Sequence, residues 1–219
     1  AQLSDVVAEV KATLEAHPVP SPSIAYKITG AYEDQQETFG DLGMLMALIV
    51  ILVFIVMAAQ FESLVDPFVI MFSVPFAFSG VFLGLLITQI PLDTMSFIGM
   101  IMLIGIVAKN GIVLIDYIRL CRERGMSITQ SVTTSGRSRL RPVLMTTLTT
   151  VLGMVPMALG IGEGSEMWQG MGVTVAWGLS LSTLVTLVLI PTLYASLEAR
   201  RIRRERKRLE KKLIARGAR

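Results

Sequence analysis

The sequence predicts an all-α membrane protein: five transmembrane helices preceded by a short helix–strand segment. Three observations carry that expectation. The 219 residues are 53% hydrophobic with a mean hydropathy of +0.63, too apolar for a soluble domain, so the bilayer is the solvent for most of the chain. The apolar residues fall into five runs, each long enough for a hydrocarbon core of about 30 Å. Charge is kept away from those runs, since Arg200–Arg219 carries eleven Lys/Arg against Glu205 and Glu210.

Residues 1–40 are soluble in character. Leu3, Val6, Val7, Val10 and Leu14 repeat at helical spacing and predict a short amphipathic helix. Pro18, Pro20 and Pro22 end it, and Ile24, Tyr26 and Ile28 alternate with polar neighbours as one strand, closed by Gly30. One helix and one strand enclose no core. No signal peptide is expected in this segment; it is expected to be the end of a larger domain, with the whole chain a piece of something longer.

The spans are expected at about 42–59, 67–92, 94–118, 142–162 and 167–197. Pro75 interrupts the second span, and Gly80 and Gly84 give it a GxxxG pattern of the kind that lets helices pack closely. The fourth is expected to kink at Pro156. The fifth exceeds what a crossing needs, so its ends reach into the interfaces. A basic tail, residues 200–219, follows.

Lys109 interrupts the third span. A lysine at that depth costs roughly 2.5–3.5 kcal/mol on insertion scales. Such a residue is either a structural cation in an ion pair or part of an ion pathway, and the second is the default for intramembrane ionisable groups. No acidic residue stands at matching depth in the other spans, so its partner is expected on protein outside this chain. Asp116, two turns further on, reads as an interfacial carboxylate near Arg119 or Arg122. The single Cys121 excludes an internal disulfide, the lone His17 argues against a histidine metal site, and the thirteen methionines form no metal-binding arrangement. A channel is disfavoured, because one lysine defines no selectivity filter.

Arg119, Arg122, Arg124, Arg137, Arg139 and Arg141 lie between spans three and four, and the basic tail follows span five. The positive-inside rule makes both clusters cytoplasmic. Residues 1–40 then fall outside. The tail is close enough to the bilayer to touch anionic headgroups, and topology accounts for its charge without nucleic acid.

Four motifs, in this order and spacing, resemble the C-terminal membrane half of resistance–nodulation–division (RND) efflux pumps. They are Ala58-Ala-Gln-Phe-Glu-Ser-Leu64 with Asp66-Pro67; Gly105-Ile-Val-Ala-Lys-Asn-Gly-Ile-Val-Leu-Ile-Asp116; Arg137-Ser-Arg-Leu-Arg-Pro-Val-Leu-Met-Thr146; and Gly153-Met-Val-Pro156. The resemblance implies transmembrane helices eight to twelve of twelve, with residues 1–40 as the end of a periplasmic porter domain. It implies a secondary transporter, not an enzyme, that exports its substrate by proton antiport and needs no cofactor beyond the proton motive force. Lys109 then matches the proton-relay lysine facing the aspartates of a fourth helix, which belongs to the N-terminal half. Arg139 and Thr146 match the other relay positions of this half, and Asn110 and Asp116 are possible supporting residues. The implied partners are that N-terminal half, a homotrimer, a periplasmic adaptor, an outer-membrane channel and the lipid bilayer. The implied location is the bacterial inner membrane, multi-pass. Ala108-Lys109-Asn110 resembles the hydrophobe/amphiphile branch, which exports drugs. A metal or lipid exporter of the same superfamily, or an inactive or structural fragment of a split or truncated transporter, are the alternatives.

Overall fold

The computed structural model describes residues 3–16 and 31–217. Those residues are helical almost throughout: α1 (Leu3–Ala16), α2 (Ala31–Phe61), α3 (Val65–Met71), α4 (Val74–Thr88), α5 (Thr94–Glu123), α6 (Ile128–Ala158) and α7 (Gln169–Gly217), with a 3-10 turn at Ser165–Trp168. Among the described residues, five stretches are long and apolar enough to cross a membrane: Glu37–Phe61, Val65–Thr88, Thr94–Glu123, Ile128–Ala158 and Ser165–Ala199. This is an all-α, multi-pass membrane architecture. The strand expected at Ile24–Ile28 lies outside the described residues.

The chain divides into two compact units, Ala1–Ala47 and Leu48–Arg219. In the first, α1 buries Val7 while Val6 and Val10 remain exposed. In the second, α7 is the central helix, packing against α4, α5 and α6.

Hydrophobic burial does not drive helices together in lipid, where tails are as apolar as leucine; close packing through small residues does. The glycines follow that rule. A Cβ on Gly80 would meet the Trp177 carbonyl oxygen at 2.8 Å, and one on Gly84 would meet Trp177 Cβ at 2.6 Å, so both α4 glycines lie against α7. Gly178 of α7 lies against Leu103 and Val81, and Gly99 of α5 against Thr174. These contacts let Val81, Leu103 and Leu179 bury completely at the centre. A second apolar cluster joins Met57, Phe61, Ile70, Ile115, Ile118 and Ile190.

Several boundaries differ from the sequence expectation for physical reasons. The second span breaks at Phe72–Ser73. Pro75 has no N–H to offer the ladder, and it sits in the first turn of α4, where none is needed. Ser73 resolves the break by donating its N–H and its hydroxyl to the Ile70 carbonyl, at 3.0 and 2.6 Å. The span ends at Thr88, closed by Gln89 in the left-handed region at φ 60°.

The fourth helix starts at Ile128, not at Pro142. Ser127 and Gln130 form a reciprocal capping box. The arginine-rich segment then packs on α5 through small residues: Ser131 and Ser135 are fully buried, and Ser135 donates to the Leu114 carbonyl at 3.1 Å. Pro142 therefore lies inside α6.

Pro156 stands in the last turn of α6. Its carbonyl accepts from Ile161 N–H at 3.0 Å, while Gly160, at φ +66°, donates to Met157 at 3.1 Å. That is a Schellman ending. Finally, α7 runs 49 residues, roughly 70 Å at 1.5 Å per residue, so the helix continues through the backbone of the basic tail.

Gly80→Leu is expected to destabilise the purified protein by about 1–3 kcal/mol through overpacking. Gly105→Ala, whose Cβ meets nothing within 4 Å, is expected to be neutral or slightly stabilising. Thermal unfolding in detergent measures both, and equal midpoints would remove the glycine seam as a determinant.

Candidate functional site

Burial along α5 has helical period. Leu103, Ile104, Val107, Ala108, Gly111, Leu114, Ile115 and Ile118 are buried. Met102, Gly105, Lys109, Asp116 and Leu120 form the opposite, exposed stripe. Lys109 thus points away from the packed face of this chain. Among the described residues it has no hydrogen bond and no ion pair.

The Lys109 side chain does not stand alone. It lines a hollow of about 100 Å³ with Ile106, Asn110, Thr146, Thr147, Thr150 and Leu179, contributed by α5, α6 and α7. The structure therefore brings Lys109, Asn110 and Thr146 together. Thr146 is exposed and donates its hydroxyl to the Val143 carbonyl at 3.0 Å. With its proton committed, the oxygen faces outward as an acceptor. Asn110 is 9% exposed.

Arg139 lies elsewhere on the α5–α6 seam, two turns of α6 before Thr146. Its guanidinium carbon stands 4.6 Å from the centre of the Tyr117 ring, a cation–π contact worth about 0.5–2 kcal/mol depending on solvation. Its Nε is buried without a hydrogen-bond partner. The structure does not bring Arg139 into the Lys109 hollow.

Asp116 is exposed on the Lys109 stripe, and among the described residues no ion pair joins it to Arg119 or Arg122, the arginines it is expected to lie near. Those arginines turn to other work. Arg119 donates to the Phe61 carbonyl at 2.8 Å, stands 3.8 Å from Asp66 Oδ2 and lies 5.7 Å from the centre of the Phe61 ring. It caps the carbonyl end of α2, where a cation is favoured by the helix dipole. Arg122 donates to the Met126 carbonyl at 3.2 Å. Both border a cavity of about 640 Å³ at this end of the bundle, together with Glu62, Asp66, Glu123 and Glu198.

Sequence reasoning missed Tyr117, the Arg119 clamp and a hydroxyl pair between Thr147 and Thr183. Phe61 and Asp66 were both part of a motif, but nothing in the spacing joined them to Arg119, whose bond to the Phe61 carbonyl spans 58 residues. The threonine pair had no local signal, because its members lie 36 residues apart on different helices.

Residues 1–198 match the AcrB/AcrD/AcrF family. The chain belongs to that family. It is the membrane portion of an RND efflux transporter, as the four motifs imply. Among its relatives is the swarming motility protein SwrC of Bacillus subtilis, 36% identical over 87% of this chain and 18% of that protein. The cobalt-zinc-cadmium resistance protein CzcA of Cupriavidus metallidurans is 36% identical over 75% of this chain and 16% of that protein. The multidrug resistance protein MdtC of Proteus mirabilis is 32% identical over 96% of this chain and 20% of that protein. A crystal structure of a heavy metal efflux pump superposes with a TM-score of 0.77 at 30% identity, covering 90% of this chain and 20% of that one. The chain spans about a fifth of the length of these relatives.

The Arg119 clamp carries its own test. Arg119→Met is expected to lower stability by about 1–2 kcal/mol, the scale of a partly solvated charge-assisted hydrogen bond. Arg122→Met is expected to cost less. Thermal midpoints of the two variants check this, and the reverse order would deny Arg119 its anchoring role.

Proposed function

We propose that the chain is the second half of the membrane domain of an inner-membrane exporter that moves drugs or amphiphiles outward in exchange for protons. The observation that carries the reading is Lys109: an exposed cation in mid-span, beside acceptor hydroxyls, with no acidic partner among the described residues. Its counter-charge is a carboxylate of the N-terminal half, on the fourth helix. With that carboxylate ionised, the pair attracts; protonating it removes the attraction and lets Lys109 swing. A two-state repacking of helices follows from one protonation.

Thr146 then orients the carboxylate or a water at the rim of the hollow. Arg139, stacked on Tyr117 one station further along the seam, is the basic residue near the cytoplasmic end of the proton path. Asn110 is a supporting residue on the wall of the same hollow, and Asp116 extends the polar stripe. Both termini follow from arginine placement: residues 1–40 outside, the tail inside. A homotrimer, a periplasmic adaptor and an outer-membrane channel complete the assembly. The alternative of an inactive structural fragment holds only if no N-terminal half supplies the carboxylates.

A second reading, export of metal cations, is favoured by the CzcA relative and the heavy metal pump structure. The drug reading rests on Ala108-Lys109-Asn110 and on the MdtC relative. The two separate cleanly in a host deleted for its own pumps and complemented with the complete gene. Raised tolerance to dyes and detergents supports the first; raised tolerance to cobalt, zinc or cadmium alone supports the second.

In that host Lys109→Ala is expected to abolish export at unchanged protein level. Arg139→Ala is expected to impair it more than Arg122→Ala does. Undiminished resistance with Lys109→Ala would end the relay reading. Equal effects of the two arginine variants would reduce Arg139 to an interfacial anchor.

A further inference from the structure

Most hydroxyls on these helices discharge their proton locally. Thr133, Thr146, Thr149, Thr150, Ser180, Ser182 and Thr192 all donate to a carbonyl three or four residues back on their own helix. Thr147 and Thr183 do not. They bond each other across α6 and α7 at 3.1 Å. Each is buried, at 7% and 2% exposure. In such a pair one hydroxyl donates to the other, and the acceptor's own proton has no partner among the described residues. The pair therefore holds a spare donor and spare lone pairs.

Thr147 lines the Lys109 hollow. Exposure falls across it, from Lys109 and Thr146 through half-buried Thr150 to Asn110 and Thr147. Lys109 and Thr146 thus form the rim, and Asn110 and Thr147 the inner wall. The space of about 100 Å³ has room for water, and Lys109, Asn110, Thr146, Thr147 and Thr150 give its walls the polar partners a held water needs. Among the described lining residues Lys109 is the one charged group.

We propose that this hollow is a hydration chamber, in which the Thr147–Thr183 pair and Asn110 hold ordered water against the Lys109 ammonium. The inference rests on the relay reading above and adds to it. When Lys109 parts from its carboxylate, a bare ammonium in a low-dielectric site would be too costly to populate. Water held on the inner wall supplies acceptors for its three N–H groups at that moment. Thr147 and Thr183 are positioning residues: they act on Lys109 through water, not by contact with the transported proton or drug. The pair also brings α7 into the site, so that the central helix senses where Lys109 points.

The test uses the complete pump and separates hydroxyl from shape. Thr147→Val and Thr183→Val keep the volume and delete the hydroxyl; Thr147→Ser and Thr183→Ser do the reverse. We expect each Val variant to lower drug transport by about tenfold, as loss of an outer hydrogen-bond partner does at metal sites. Both Ser variants should transport as wild type. Lys109→Ala is measured beside them. If it abolishes transport while the Val variants match wild type, the chamber is wrong and the relay stands. If Lys109→Ala itself transports normally, the relay reading fails first. If Ser and Val are equally impaired, the pair is packing and the proposal is overturned. Should the Val variants misfold, a high-resolution map of the wild-type pump decides: water in the hollow bonded to Thr147 supports the chamber, and a dry hollow refutes it.

Discussion

A cation in the middle of a bilayer crossing constrains everything around it. Lys109 divides α5 into two faces with different duties. The buried face, from Leu103 to Ile118, is apolar and locks onto this chain's own helices. The other face carries Lys109 and Asp116 outward, where lipid would be an intolerable neighbour. On the proposed reading the N-terminal half of the membrane domain meets that stripe.

What fixes Lys109 in place is a helix it does not belong to. The central α7 approaches α4 and α5 closely because Gly80, Gly84, Gly99 and Gly178 leave room for backbone and side chains. It meets α6 through the threonine pair. At the other end of α5, Arg119 ties the helix to the carbonyl terminus of α2. The lysine thus projects from a helix held on its inner face and at one end. That arrangement suits a side chain that moves while its backbone remains defined.

Much of this was legible in the sequence, and the exceptions share a cause. The five spans, the break near Pro75 and the α4 glycine seam follow from hydropathy and from residue size, both local signals. The start of α6 was misplaced because arginine density reads as a loop, whereas a helix begins where its N–H groups are capped; Ser127 and Gln130 were the available clue. Pro156 was expected to kink a helix and instead helps to end one, through hydrogen bonds that Gly160 permits. Within the site, Lys109, Asn110 and Thr146 converge, because α5 and α6 pack side by side. Arg139 does not join them, since seven residues of helix separate it from Thr146. Tyr117 and Thr183 were invisible for want of any pattern: their roles arise from contacts between helices.

The central claim is that Lys109 forms a protonation-dependent pair with a carboxylate of the N-terminal half. The most direct measurement is the distance from Lys109 Nζ to its nearest carboxylate in the complete pump, determined in each transport state. The account predicts salt-bridge contact, within about 4 Å, in one state and separation in another. A Lys109 that contacts no carboxylate in any state, or the same one in all of them, would contradict it.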